Sequence, residues 1–292
     1  MQMHTTKVVQ ALLAASLLFA PGLTAQGEAT GPEAFSAVQE EFEAANRDWM
    51  TSYREASKNG AGSEALSKLM AKRPNAKDYV ARVRAIVRAD ASGDDAGAAA
   101  AWLITRGRVT GADLGFALDV LGAHHMGSEH ATSVMTGLSR NPAPAVTAFL
   151  QKAAEQAEGD DLAMALMTAA EQLKSSAGTA RTLAAGTEED LERYAGFYGK
   201  EVVDVLRTAD ADALEQRSAK LFDRLVADEA LSGVAYRRKT IGEAATNALF
   251  ELRNLSIGKV APDIVGEDLD GTPMKLSDYR GKVVVLDFWG DW

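Results

Sequence analysis

The chain has 292 residues, 47% of them hydrophobic, with 31 Lys and Arg against 41 Asp and Glu, a net charge of −10. That apolar content supports a packed core and argues against wholesale disorder. The acidic balance, with no Lys/Arg cluster, speaks against nucleic acid and anionic membrane surfaces as partners. There is no cysteine in the sequence, hence no disulfide, no thiolate nucleophile and no Cys-ligated metal within it.

The first 25 residues have the three-part pattern of an export signal. His4 and Lys7 give a weakly basic start, Val8–Ala20 is a 13-residue apolar stretch, and Ala25 follows the break at Pro21 and Gly22. The apolar stretch is too short to span a bilayer. Residues 26–31 are a polar linker. The expectation is an exported, periplasmic protein that leaves the membrane after signal cleavage.

From Pro32 to Leu255 the periodicity is helical. Pro32 suits a first turn, with Phe35, Val38, Phe42, Trp49 and Tyr53 at helical spacing up to the stop at Asn59-Gly60. A second helix starts at Asn75, with Tyr79, Val83, Ile86 and Val87 on one face. Asp94–Arg106, Gly111–Ala123, Ser128–Leu138, Pro144–Ala157 and Asp160–Leu173 follow, separated by Gly, Asn-Pro or Gly-Asp signals. Thr187 with Asp190 is a capping pair. It opens a helix whose stripe is Leu191, Tyr194, Tyr198, Val202 and Val205. Asp210–Ala227 and Thr240–Leu255 complete the series. Short loops predict antiparallel neighbours. No fixed repeat period is present, so the fold expected for residues 32–255 is a mainly α domain, an irregular helical array or bundle without strands.

Composition changes at Ser256. Ala261-Pro262 forces an extended entry. Asp263–Asp268 reads as a strand, Asp270-Gly271 as a turn and Met274–Leu276 as the returning strand. Ser277 caps a helical turn that ends at Gly281. Val283–Trp289 is a strand of the kind buried on both faces of a sheet.

Three segments here resemble the opening of secreted TlpA-like thioredoxin-fold proteins, the redoxin group. They are Gly258-Lys259-Val260-Ala261-Pro262-Asp263; Asp268-Leu269-Asp270-Gly271 with Leu276-Ser277-Asp278-Tyr279-Arg280-Gly281-Lys282; and Val283–Trp292, ending Asp-Phe-Trp-Gly-Asp-Trp. The order and spacing of the three carry the resemblance. It implies that residues 256–292 are the N-terminal part of an α/β thioredoxin-like fold, incomplete here, with the family's Cys-x-x-Cys expected directly after Trp292. His124-His125 and Glu251-Leu252-Arg253 are similar to the helical leader carried by one branch of these proteins.

The resemblance implies thiol–disulfide oxidoreductase chemistry in the intact gene product. The substrates are protein dithiols and disulfides, the electron donor is a membrane or periplasmic one, and no cofactor or metal is needed. By position, Asp287 matches the buried acid that exchanges a proton with the resolving thiol; burial raises such a carboxyl's pKa toward the working range. Phe288, Trp289, Gly290, Asp291 and Trp292 flank the site, Trp289 as a core aromatic and Trp292 as a shield. Two other readings compete. One is a peroxiredoxin-type peroxidase, which places its reactive Cys after a Pro and a Thr, unlike this motif. The other is a non-enzymatic periplasmic binding or scaffolding role for the helical region.

Elsewhere, His124, His125 and His130 with Glu129 could suggest a metal site, but adjacent histidines point to different helix faces and Gly127 interrupts the spacing. Glu40, Glu41 and Glu43, and Glu188, Glu189 and Asp190, read as solvated faces or first-turn acids. Gly97, Gly107 and Gly111 form no phosphate loop. Met164 and Met167 read as core.

Overall fold

The computed structural model describes residues 33–256 and 258–290. The expected signal segment, the linker and Pro32 lie outside the described residues, as do Asp291 and Trp292. No helix among the described residues is long and apolar enough to cross a membrane.

The helical region begins with α1 (Phe35–Lys58) and α2 (Ser63–Met70). Phe35 and Val38 are buried. Phe42 sits edge-on to Tyr79 and Trp102, at centroid distances of 5.3 and 5.6 Å. The sequence reading missed α2, which buries no residue. What ties it down is Trp49, whose Nε1 donates to the Leu69 carbonyl at 2.7 Å. A 3-10 turn, Ala76–Tyr79, leads into α3 (Val80–Ala89), with Asn75 accepting from the Lys77 amide as expected of a cap.

α4 (Asp94–Thr105) is buried nearly all round: Ala96, Gly97, Ala99, Ala100 and Ala101 let neighbouring backbones approach closely. α5 (Gly111–His124), α6 (Glu129–Met135) and α7 (Pro144–Gln156) follow, α7 with proline in its first turn. Successive helices from α3 to α5 pack on one another, and α7 packs on α5.

The longest helix among the described residues, α8 (Gly159–Ala185), has 27 residues where the sequence suggested a stop at Leu173. Ser175-Ser176 and Gly178 look like breakers, yet Ser176, Ala177 and Ala180 are buried, and tertiary packing overrides propensity. α9 (Glu188–Tyr198) opens with the expected box: Thr187 and Asp190 bond reciprocally. The single helix expected to run through Val205 is instead broken. Gly199, at φ +92°, separates α9 from α10 (Lys200–Arg207). That break resets the stripe, so Val202, Val203 and Leu206 are buried and Val205 is exposed.

α11 (Ala211–Ala227) and the short α12 (Glu229–Ser232) lead to a small hairpin of β1 (Ala235–Tyr236) and β2 (Lys239–Thr240). This corrects the expectation of no strands before Ser256; two-residue strands are too short to show alternation. α13 (Ile241–Asn254) starts with a second capping box, Thr240 with Glu243. Gly242 is needed there: a Cβ would lie 2.7 Å from the Ser232 Cβ.

Among the described residues, two apolar cores result. The first joins α1, α3 to α7 and α10 around Val38, Leu103, Leu121 and Leu150. The second joins α11, α12 and α13 around Phe222, Leu225 and Ile241. α8 serves both, giving Ala165, Ala169 and Leu183 to the first and Ala163, Leu166, Met167 and Ala170 to the second. Beyond α13 come β3 (Val265–Glu267) and β4 (Pro273–Lys275), antiparallel with Gly266 opposite Met274, then a 3-10 turn at Leu276–Tyr279. The architecture is mainly α, as expected.

Candidate functional site

The segment from residue 258 to 290 is where the resemblance places redox chemistry, and its first half is well ordered by local bonds. The carboxylate of Asp268 accepts from the amides of Asp270 (2.9 Å) and Thr272 (2.8 Å), closing the β3–β4 turn. Gly271, at φ +79°, supplies the left-handed residue that the turn requires. Asp263 then clasps the far end. It accepts from the Ser277 amide at 2.8 Å and from the Ser277 hydroxyl at 2.9 Å. The Ser277 backbone bond, then its hydroxyl, hold the Asp263 carboxyl below the usual carboxylate range. Asp278 accepts from the Lys275 amide, and Lys282 lies over the Tyr279 ring. The expected strand–turn–strand–turn order is therefore present, with β3 shorter than the sequence suggested, β4 shifted by one residue at the same length, and Ser277 inside the 3-10 turn, whose cap position is Lys275.

The second half differs from expectation. Residues 283–290 form no strand. A central strand needs hydrogen-bonded neighbours on both edges and covered faces, and the described residues supply neither to this run. Val283 is 98% exposed, Phe288 81% and Trp289 84%. Asp287, expected beneath the site in an apolar strand, is exposed here, and so is Gly290. Asp291 and Trp292 lie outside the described residues, so the expected flank of the site is described only through Gly290.

The leader signatures do structural work. Glu251 pairs with Lys174 of α8, Leu252 is buried, and Arg253 grips Asp223 of α11 through both carboxylate oxygens at 2.7 and 2.8 Å. His125 and His130 meet over Gly97, where a Cβ would lie 3.1 Å from the His125 ring and 3.2 Å from that of His130. His125 Nε2 donates to the Ala91 carbonyl at 2.9 Å, fixing the loop before α4. His124 and Glu129 are exposed. Nothing in the sequence pairs Gly97 with these histidines, because the approach depends on how α4 and α6 pack. Glu188, Glu189 and Asp190 form the first turn of α9, and Met167 belongs to the second core with Met164 against it.

Among curated proteins, the chain is similar to the thiol-disulfide oxidoreductase ResA of several bacilli. It is 51% identical over 47 residues to that of Geobacillus kaustophilus (strain HTA426), covering 16% of this chain and 27% of the relative. The figures are 48% over 46 residues for Geobacillus thermodenitrificans (strain NG80-2), covering 16% and 26%. For Bacillus subtilis (strain 168) they are 43% over 53 residues, covering 18% and 30%. The chain thus spans between a quarter and a third of the length of these relatives. No family model matches the chain, and no solved structure matches it. The short matches support a thioredoxin-like relationship to thiol–disulfide oxidoreductases for the stretch they cover.

Proposed function

We propose that this chain belongs to an exported TlpA-like thiol–disulfide oxidoreductase in which a helical domain precedes a thioredoxin-like domain that begins near Ser256. The observation that carries this reading is the ordered series of motifs from Gly258 to Trp292, supported by 43–51% identity to ResA proteins over short stretches. In the intact gene product a Cys-x-x-Cys follows the Asp-Phe-Trp-Gly-Asp-Trp motif at a helix N-terminus. There the first thiolate attacks a substrate disulfide, and one substrate sulfur leaves as a thiol. The second cysteine resolves the mixed disulfide, releasing the other sulfur and losing its proton to Asp287. A membrane or periplasmic dithiol donor restores the reduced pair. Asp287 reaches its buried position only when Val283–Trp289 is paired as a central strand.

The test is to read the gene beyond the codon for Trp292 and assay the whole product for disulfide reduction across pH 6–9. The expected result is a Cys-x-x-Cys and turnover that Asp287→Asn slows by about 10²–10⁴-fold, the usual contribution of a positioned acid–base group. A product without the cysteine pair, or one with it but without disulfide activity, overturns the reading.

A further inference from the structure

A groove runs between α7 and α11, with α8 as its floor. It arises from the shared use of α8: α7 packs on one flank and α11 on another. Ala154 and Leu221 border both cores, one on each wall. Ala154 on the wall and Ala169 on the floor are too small to fill the seam, and a cavity of 390 Å³ is left. That falls in the range of small-molecule sites, about 300–1,000 Å³. Its accessible lining is mostly apolar, from Leu221 and Ala154 over the buried Leu150, Leu166 and Leu173, with Thr147, Gln151 and Gln172 adding polar atoms.

The rim is cationic. Arg217, Lys220 and Arg224 lie at i, i+3 and i+7 on one face of α11 and all border the cavity. None of the three has an ion pair or side-chain hydrogen bond among the described residues. The carboxylates of their own helix are committed elsewhere: Asp212 and Glu215 hold Arg181, and Asp223 holds Arg253. One acid, Glu155, shares the rim and accepts from Gln151. In a chain of net charge −10, which repels anions in general, three free cations beside an apolar hollow form a local site of opposite sign.

We infer that this groove binds a single-chain amphiphilic anion, a medium-chain aliphatic carboxylate. The alkyl chain lies along Leu221, Ala154 and the methylene stems of Arg217 and Lys220, and the carboxylate is held by Arg217, Lys220 and Arg224. The site stands apart from the redox reading and does not depend on it.

The experiment is a calorimetric titration of the whole chain with decanoate below its micelle concentration. Decyltrimethylammonium is the charge-reversed control, and anionic phospholipid vesicles are a separate arm. One saturable site for decanoate is expected. Lys220→Gln with Arg224→Gln should weaken it by about tenfold or more, as loss of charge-assisted bonds does. Glu155→Gln, which removes the opposing charge, should tighten it. These side chains are exposed, so an unchanged circular dichroism melt confirms that the fold is kept. The inference is overturned by absence of a saturable site, by equal affinity for decyltrimethylammonium, by indifference to the double substitution, or by binding to vesicles alone.

Discussion

The described residues contain two β-hairpins, and they are held in opposite ways. The first, at residues 235–240, has only two residues in each strand, yet it is bound to the helical body. The Tyr236 hydroxyl hydrogen-bonds the Glu171 carboxylate of α8 at 3.1 Å, and Ile241, directly after the hairpin, is fully buried. The second, at residues 265–275, has longer strands, an Asp-closed turn and the Asp263–Ser277 clasp, but every residue of both strands is exposed. Local hydrogen bonds shape a hairpin, whereas burial anchors it. An isolated two-stranded hairpin is marginal in water however well its turn is made.

The sharpest way to break this comparison is to delete an aromatic ring from each region. Phe222→Ala, in the second core against which Tyr236 packs, should cost about 3–5 kcal/mol through lost burial and the cavity left behind. Phe288→Ala should stay within about 0.5 kcal/mol, as exposed substitutions do. Urea melts of the two variants check this; similar losses would mean that the second region is anchored after all.

A smaller effect tests the pin on the first hairpin. Tyr236→Phe should cost about 1 kcal/mol, the ordinary net value of a hydrogen bond. Burial, and then the Glu171 carboxylate, push the Tyr236 phenol above its ordinary 10.0. The folded state therefore holds this proton more tightly than the unfolded one. The resulting stabilisation is complete below pH 10 and is lost as pH rises through the raised value. Thermal melts from pH 8 to 11 should show an alkaline decline in the parent that is shallower in Tyr236→Phe. Parallel declines would remove Tyr236 from the account.

The smallest effect belongs to the second hairpin. Asp263 is held below 3.8 by its bonds to Ser277, so the clasp is complete above that pH and opens as pH falls through the depressed value. The Ser277 amide resonance should shift there. Asp263→Asn, which keeps an oxygen acceptor but no charge, should move the same resonance at neutral pH and leave the melting of the helical region unchanged. A lowered melting temperature would show that the clasp supports more than its own hairpin.

What could be read from the sequence follows the same division. Helix starts written in local chemistry were legible: the Thr187–Asp190 box, Pro144 in the first turn of α7 and the Asn75 cap all appear where the side chains demand them. Features that depend on distant partners were not. α2 carries no buried stripe and is recognised only through the reach of Trp49. The continuation of α8 past Leu173 rests on burial of small residues that look like breakers. Gly199 interrupts an apolar pattern that would otherwise run on. In the C-terminal segment, turn chemistry at Asp268–Gly271 could be read directly, but the apolar run Val283–Trp289, which reads as a strand, forms none among the described residues, where no neighbouring strand pairs with it, and Asp287 is exposed.

The 27-residue helix α8 has a consequence for how the helical region comes apart. At 1.5 Å per residue it is a rod of about 40 Å. Along part of that length, alternate residues wall different cores: Ala163 the second, Ala165 the first, Leu166 the second again and Ala169 the first. Fraying α8 to release one core strips the other of a wall in the same event. The two cores thus form one cooperative foldon, and hydrogen exchange of their central amides should converge on a single opening free energy.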